Sequence, residues 1–324
     1  MDGRAVNGDR GRVDPELLTF LDRFPDLVLS METLQGVRAA ARQPPPDAPP
    51  PDQPVRTVRR AAPGRDGAPD VTILIHRPEA AAGPLPCILH MHGGGYVFGA
   101  PEADAPHHRR LAAELNCCIA SIAYRLAPET IFPGQIEDCY AALTWLGANA
   151  AALQIDAARI GVMGESAGGG LAAALALLAR DRGEVALAFQ HLIYPMIDDR
   201  TGLGDPAPLD GAFVWNAHNN QFGWRALLGD PSDGQEASPY AAAARALDVS
   251  GLPPTFISTG TLDLLAGDAL AYAARLLCAG VAIELHVYPG AFHGFDYAPD
   301  AAVAIRARRD ARAALARALH PPAD

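Results

Sequence analysis

Cysteines are few in this sequence, and their spacing fits neither disulfide bonds nor a metal site. Five are present among 324 residues, an odd number without a CxxC pair or a Cys/His ligand pattern. Disulfide frameworks and structural zinc sites need such patterns, so we predict neither. We expect buried thiols in a reducing cytoplasm, no metal and no organic cofactor. The cysteines are Cys87, Cys117, Cys118, Cys139 and Cys278.

Positive charge is also scarce. The chain has 26 basic against 37 acidic residues, a formal net charge of −11. Binding to phosphate requires clustered Lys and Arg, which this balance does not provide. We therefore exclude nucleic acid and an anionic membrane as partners.

Long apolar segments are missing as well. The longest run, residues 168–179, is too short and too rich in Gly and Ala to cross a bilayer, and Arg180 and Asp181 close it. The N-terminal segment carries charge but lacks the apolar stretch of a secretory signal. These features predict a soluble, cytoplasmic protein.

What is present fits one large α/β domain with a cap. Residues 1–54 are predicted to hold a helix pair, with Pro15 in a first turn, and the connector QPPPDAPPPDQP. Residues 55–324 then alternate strands and helices as a mostly parallel sheet flanked by helices requires. The irregular residues 196–250 are assigned to the cap. Predicted strands are 71–78, 87–93, 117–124, 159–164, 189–195, 254–260 and 283–289; predicted helices are 104–115, 135–152, 166–181, 267–279 and 299–319.

The sharpest chemical signal is the pentapeptide GESAG at residues 164–168. It lies between a predicted strand and an Ala/Leu-rich helix, the context in which G-x-S-x-G marks a nucleophilic serine. Glycines permit the tight turn, and the N-terminus of the helix favours developing negative charge. We predict that Ser166 is the nucleophile.

A glycine-rich segment, His92-Gly93-Gly94-Gly95, follows another predicted strand. Alone, it fits an ordinary flexible turn. Beside a nucleophile, its uncovered N–H groups suit an oxyanion hole. We predict that Gly93 and Gly94, with the amide of Ala167, form that hole.

A serine nucleophile needs a general base, and ten histidines are available. His293 has the best position, just past the C-terminal end of a predicted strand, where open α/β sheets collect functional groups. His92 is expected to hold the shape of the glycine loop. Three others lie inside predicted strands and are assigned to the core: His90, His191 and His286. Two more are assigned to a solvated helix face: His107 and His108.

The imidazole in turn needs an acid that fixes its tautomer. Asp263 follows the preceding strand, and the order Ser…Asp…His is that of α/β-hydrolases. Asp268 is the alternative, although its place at a helix start suits an N-cap or a first-turn role better.

Together these motifs resemble the hormone-sensitive-lipase family of α/β-hydrolase esterases. The resemblance rests on HGGGYVFG from His92, YRLAPE at 124–129, GESAGGG at 164–170, Asp263 and HGF from His293. It implies the same triad and the same oxyanion hole, and a buried ion pair between Arg125 and Glu129. Glu165 is expected to bind neighbouring backbone or lid groups. Substrate contacts are predicted for Gly95, Tyr96, Phe213 and Trp215.

The resulting hypothesis is a serine carboxylesterase that hydrolyses small-molecule esters of short to medium acyl length. A hydrolase of amides, lactones or carbamates with the same triad is one alternative. A ligand-binding relative without catalysis is another, although such proteins typically lack a triad residue. A homodimer is also considered possible for this protein.

Overall fold

An eight-stranded sheet forms the centre of the computed structural model, which describes residues 10–24, 27–44, 49–203, 213–229 and 236–321. The strand order is β1-β2-β4-β3-β5-β6-β7-β8. β2 pairs antiparallel with both β1 and β4, and the other pairs are parallel. The predicted α/β architecture is confirmed. The strands are β1 Val55–Ala62, β2 Val71–Pro78, β3 Leu85–Met91, β4 Cys118–Ala123, β5 Ile155–Glu165, β6 Gln190–Ile193, β7 Thr255–Gly260 and β8 Ile283–Tyr288.

Helices cover both faces of this sheet. On one face α3 and α9 contact each other and share an apolar cluster with β3 and β5. On the other, α4 and α6 pack together over the largest cluster, to which α8 contributes. The helices are α1 Leu18–Leu21, α2 Leu34–Ala41, α3 Pro101–Leu115, α4 Gly134–Ala148, α5 Ala150–Leu153, α6 Ala167–Arg182, α7 Ala217–Leu228, α8 Ala266–Cys278 and α9 Ala302–Leu319.

Strand β1 is absent from the strands predicted by sequence. Only its two end residues are buried. Most residues between them are exposed, including Arg56, Arg59 and Arg60. An edge strand needs little apolar surface, and charge on it discourages pairing with other chains. The hydrophobic pattern therefore gives little sign of it.

The N-terminal region is helical in short pieces rather than in two long helices. Pro15 is the first residue of a 3-10 turn, Pro15–Leu17, which leads directly into α1. The Asp14 carboxylate caps this turn by accepting a hydrogen bond from the Glu16 amide at 3.0 Å. The predicted connector ends where β1 begins, although part of it (45–48) lies outside the described residues. No helix in the described ranges is long and apolar enough to cross a membrane.

The junction of β5 and α6 fixes the position of Ser166. The strand ends at Glu165 and the helix begins at Ala167, so the serine alone makes the turn. Gly168, in the first turn of α6, packs against β3 so closely that a Cβ atom would overlap the carbonyl oxygen of Met91. The turn is thus seated directly on the neighbouring strand.

We expect Gly168→Ala to destabilise the protein by about 3 kcal/mol or more, because the added methyl meets backbone atoms, which cannot move aside cheaply. Gly267→Ala is the matched control. Gly267 holds the same second position in α8, and a Cβ atom added there would have nothing within 4 Å, while Ala in a helix gains up to about 1 kcal/mol over Gly. Urea unfolding of both variants measures the difference. Equal stability of the two would contradict the close packing described.

Candidate active site

Ser166 adopts a strained backbone conformation, with φ 55° and ψ −120°. Residues with side chains rarely adopt positive φ, so neighbouring contacts must hold the turn. The Ser166 amide donates to the Ile193 carbonyl at 2.9 Å, and the Ser166 carbonyl accepts from the amides of Gly170 and Met196, each at 2.9 Å. These bonds tie the serine to β6 and to its own helix.

The structure brings Ser166, His293 and Asp263 together in one hydrogen-bonded chain. His293 Nε2 lies 2.9 Å from Ser166 Oγ, and His293 Nδ1 lies 2.8 Å from an Asp263 carboxylate oxygen. All three side chains are buried: Ser166 is 6% exposed, His293 is 7% exposed and Asp263 is 2% exposed. The chain of hydrogen bonds is thus largely shielded from solvent.

The contacts of the two carboxylates distinguish Asp263 from Asp268, the alternative candidate for the acid. The second oxygen of Asp263 accepts a hydrogen bond from the Leu265 amide at 2.9 Å, which leaves the first for His293. Asp268 lies in the first turn of α8 and accepts from the Thr201 hydroxyl at 2.5 Å. Its contacts point away from the histidine, in keeping with the first-turn role.

The glycine loop lies directly against the serine turn. A Cβ atom on Gly93 would lie 3.1 Å from the Glu165 carbonyl oxygen and 3.6 Å from Ser166 Cβ. The Gly94 carbonyl accepts hydrogen bonds from Val97 and Phe98, each at 3.0 Å, which closes the loop into a tight turn. Within the described ranges, no hydrogen bond is found from the amides of Gly93 and Gly94. Those N–H groups, with Ala167 at the start of α6, are free to bind an anion.

His92 holds this loop from behind. Its Nδ1 donates to the Gly93 carbonyl at 2.8 Å, and its ring stacks on Tyr124 with 4.2 Å between centroids. The Tyr124 hydroxyl donates to the His92 carbonyl at 2.8 Å. Burial lowers the pKa of His92 to about 4, so the ring is neutral near pH 7. The structure places His92 where the expected shape-holding role requires it.

The four predicted substrate contacts lie at different distances from the triad. Trp215 packs over Gly95, and its ring centroid lies 6.1 Å from that of His293. Phe213 packs 6.3 Å from Phe292, the residue before the histidine. Tyr96 is fully buried and donates to the Met196 carbonyl at 2.7 Å. Substrate contacts by all four residues stay predictions, and Trp215 is the one whose ring lies beside His293.

Comparisons with known proteins agree with this geometry. The family model for the alpha/beta hydrolase fold matches residues 88–297. Carboxylesterase NlhH of Mycobacterium tuberculosis is 36% identical over 317 residues, covering 96% of this chain and 98% of that protein. This chain belongs to the hormone-sensitive-lipase-like family of α/β hydrolases. The predicted family membership is confirmed.

Solved structures show the same family over nearly the whole chain. A bacterial heroin esterase superimposes with a TM-score of 0.86 at 40% identity, covering 96% of this chain and 99% of that one. Esterase LipW from Mycobacterium marinum gives a TM-score of 0.83 at 31% identity, covering 98% and 100% respectively. The N-terminal segment before β1 is therefore shared with these hydrolases.

Two histidine predictions are wrong in this hydrolase. The sequence predicts His108 on a solvated helix face, but it is 1% exposed, because α3 packs this face onto β2 and β4. It predicts His286 in the core, but the side chain is 29% exposed, because β8 is an edge strand. His90 and His191 are buried as predicted.

Two predicted charge contacts are also wrong. Arg125 and Glu129 do not pair: Arg125 binds Asp138 at 2.7 Å, while the half-exposed Glu129 binds Arg38 at 2.6 Å. The Glu165 carboxylate meets His90 at 2.8 Å rather than backbone or lid groups. The cause is strand register, since His90 pairs with Met163 and faces the same side of the sheet as Glu165 two residues on.

Two residues near His293, Tyr194 and Asp296, are not among the site residues predicted from the sequence. The Tyr194 ring lies 4.6 Å from that of His293, and its hydroxyl donates to Asp296 at 2.8 Å. Tyr194 has φ 34°, so it also closes a strained turn. Asp296 follows the HGF motif by one residue, the only sequence signal that would have suggested it.

Asp296 gives this site a pH-dependent effect on stability. Burial raises its pKa to about 6, opposed by the hydrogen bond from Tyr194. A raised pKa means that the folded state binds this proton more tightly than the unfolded state. The contribution of Asp296 to the free energy of unfolding therefore decreases as the pH rises from about 4 to about 6, and it stays lower at higher pH.

We expect Asp296→Asn to raise the free energy of unfolding by about 1–2 kcal/mol at pH 8 and to change it little at pH 4. The amide oxygen can still accept from Tyr194. Asp300→Asn, four residues on at an exposed position, is the control and should stay within about 0.5 kcal/mol of wild type at both pH values. Urea unfolding at pH 4 and pH 8 makes the comparison. A gain at pH 4 as large as that at pH 8 would contradict the raised pKa.

Proposed function

We propose that this protein is a serine carboxylesterase that hydrolyses short to medium acyl esters through an acyl-enzyme on Ser166. The observation that carries the proposal is the continuous contact from Ser166 through His293 to Asp263, with distances of 2.9 and 2.8 Å. A nucleophile, a base and an orienting acid in this order are what acyl transfer to water requires.

In the first half of the reaction, Ser166 Oγ attacks the ester carbonyl carbon as its proton passes to His293 Nε2. The imidazolium then gives this proton to the departing alkoxide, which leaves as an alcohol. Asp263 holds Nδ1 protonated, so that Nε2 is the basic nitrogen, and stabilises the imidazolium. In the second half, His293 takes a proton from water, the resulting hydroxide attacks the acyl group, and Ser166 Oγ leaves with that proton.

The negative charge on the carbonyl oxygen develops beside the glycine loop. The amides of Gly93, Gly94 and Ala167 are proposed to donate to it, with the N-terminus of α6 adding a favourable dipole. Support comes from the contact of Gly93 with the serine turn and from the tight turn at Gly94. Loss of one such donor typically costs about a hundredfold or more in kcat.

The class of this enzyme, a carboxylic ester hydrolase, is confirmed by relatives named carboxylesterase and esterase that align over nearly the whole chain. The acyl length is our proposal. It is supported by Trp215, which lies beside His293, and by Phe213 on Phe292. These large rings leave little room around a site whose triad residues are each less than a tenth exposed.

We propose that the N-terminal segment and the region 196–250 act together as a cap on the domain 55–324. Asn219 of α7 joins the two, since its carbonyl oxygen accepts from the Leu29 amide at 2.9 Å and its amide donates to the Leu27 carbonyl at 2.8 Å. His218 adds a hydrogen bond to the Leu29 carbonyl at 3.0 Å. Residues 204–212 and 230–235 of the proposed cap lie outside the described residues.

The mechanism is tested by initial rates on p-nitrophenyl esters from acetate to palmitate. We expect Ser166→Ala to reduce turnover to background and Asp263→Asn to lower kcat by about 10⁴, because the histidine loses its tautomer. Asp268→Asn is the matched control, a partly buried acid in the same segment whose partner is Thr201, and should change kcat less than about threefold. Wild-type rates should fall beyond medium acyl lengths.

Three results would count against this function. Undiminished turnover by Ser166→Ala would remove the nucleophile from the mechanism. A large loss in Asp268→Asn with little in Asp263→Asn would exchange the two acids. A wild type inert on every ester but active on amides or lactones would replace the substrate class while keeping the triad.

We also propose a cytoplasmic homodimer. Location is supported by the five free cysteines, four of them buried. Association is supported by β8, the last strand in the sheet order, whose Leu285 and Val287 are exposed, because an unpaired strand edge readily pairs with another chain. Sedimentation velocity should give twice the mass of one chain for the wild type and one chain's mass for Val287→Lys. A wild-type monomer at micromolar concentration would contradict the dimer.

A further inference from the structure

Behind the serine turn, on the face of the sheet covered by α3, lies a group of side chains that the esterase mechanism does not use. His90 projects from β3, and Asp104 and His108 project from α3. Asp104 and His108 are four residues apart, so they share one face of the helix. One nitrogen or oxygen atom from each of the three residues lies within 4.8 Å of the other two.

His108 is the least satisfied residue of this group. It is 1% exposed, yet neither ring nitrogen has a hydrogen-bond partner. Its ring lies edge-on to that of His90 with 4.2 Å between centroids. A buried imidazole without partners is destabilising, and such groups usually indicate a bound water or ion.

His90 has the surroundings of a metal ligand. Its Nδ1 lies 3.1 Å from the Ser121 hydroxyl and its Nε2 lies 2.8 Å from the Glu165 carboxylate. A histidine that binds a metal with one nitrogen almost always hydrogen-bonds a carboxylate, carbonyl or water with the other. Both nitrogens of His90 have partners, so metal binding through one of them replaces that hydrogen bond, and the polar group at the other nitrogen remains to orient the ring.

Asp104 provides the anionic ligand. No hydrogen bond to its carboxylate is found in the described part of the chain, and it is partly exposed, unlike the two histidines. A cation bound between these ligand atoms would pair with the Asp104 carboxylate and would give the unpartnered His108 ring a partner.

We propose that His90, Asp104 and His108 form a binding site for a divalent metal ion of the Zn²⁺ class, with Glu165 beside it. Imidazole and carboxylate ligands suit Zn²⁺, which takes them at about 2.0–2.2 Å. Ligand atoms then lie about 3.3 Å apart, so the side chains draw together from their present separation when the ion binds. The ion would be structural, because it lies behind the serine turn and not in front of it.

This site departs from the absence of metal sites predicted by sequence. That prediction rests on cysteines and on Cys/His spacing, whereas these ligands are an isolated strand histidine and a D-x-x-x-H pair on a helix. Only the packing of α3 onto β3 and its neighbours brings them together. His76 lies next to this group, since its ring is 5.8 Å from that of His108. Its Nε2 also has no hydrogen-bond partner.

The test uses the full chain after dialysis against a chelator. Calorimetric titration with Zn²⁺ should show one site per chain, and Tm should rise by about 5 °C at roughly a hundredfold excess over Kd. Co²⁺ should bind in the same place and give visible absorption bands typical of a low-coordinate nitrogen and oxygen site. These readouts do not depend on esterase activity, so they remain informative if the proposed reaction is wrong.

Asp104→Asn and His108→Leu should each lose the Co²⁺ bands and the Tm response to Zn²⁺, while keeping esterase activity. His108→Leu also removes the two unpaired nitrogens, so its metal-free form should be at least as stable as wild type. His191→Leu is the matched control, a buried histidine that also has an unpaired Nε2 but stacks on Phe256 instead, and should bind metal normally. Should His108→Leu fail to fold, Asp104→Asn decides the question. Absence of Zn²⁺ binding by wild type, or equal binding by Asp104→Asn, would overturn the proposal and leave buried water as the partner of His108.

Discussion

The strained turn at Ser166 is the constraint on which the rest of the site depends. A positive φ at a residue with a side chain is unfavourable by itself, on the order of 1–3 kcal/mol. It persists because three backbone hydrogen bonds hold the turn and because Gly168 lets α6 sit directly on β3. The strain places Oγ above the sheet edge, within 2.9 Å of His293, and it puts the start of α6 next to the reacting carbonyl. Positioning and electrostatics therefore come from one local feature of the backbone.

The parallel sheet explains why the other parts meet there. β3, β5 and β7 all run in the same direction, so the glycine loop, the serine and Asp263 leave the sheet at a common edge. His293 follows β8 at the same edge. Each is fixed by a strand end rather than by a free loop, which keeps donor and acceptor positions constant during the reaction. The Trp215 ring lies beside this edge, 6.1 Å from that of His293.

Much of this arrangement was predictable because local pattern carries it. The seven predicted strands are all present, and Ser166, Asp263 and His293 each follow a strand in the order typical of the fold. Side-chain partners over long distances were not predictable in the same way. Arg125 pairs with Asp138 instead of Glu129, and Glu165 pairs with His90, because of how helices and strands pack and not because of sequence separation. The edge strands show the other limit: β1 lacks an apolar pattern, and His286 looks like a core residue only if β8 is assumed to be interior.

The hydrogen bond between Glu165 and His90 links the two polar systems of the molecule. Glu165 immediately precedes the nucleophile, and His90 reaches into the pocket that contains His108 and Asp104. A buried polar group without a partner is destabilising, and His108 is such a group beside His90. The proposed cation would give His108 a partner while the rest of the cluster supplies the other ligands. The packing of α3 onto the sheet therefore places the proposed metal ligands next to the strand that carries Glu165 and Ser166, while the esterase steps use only Ser166, His293 and Asp263.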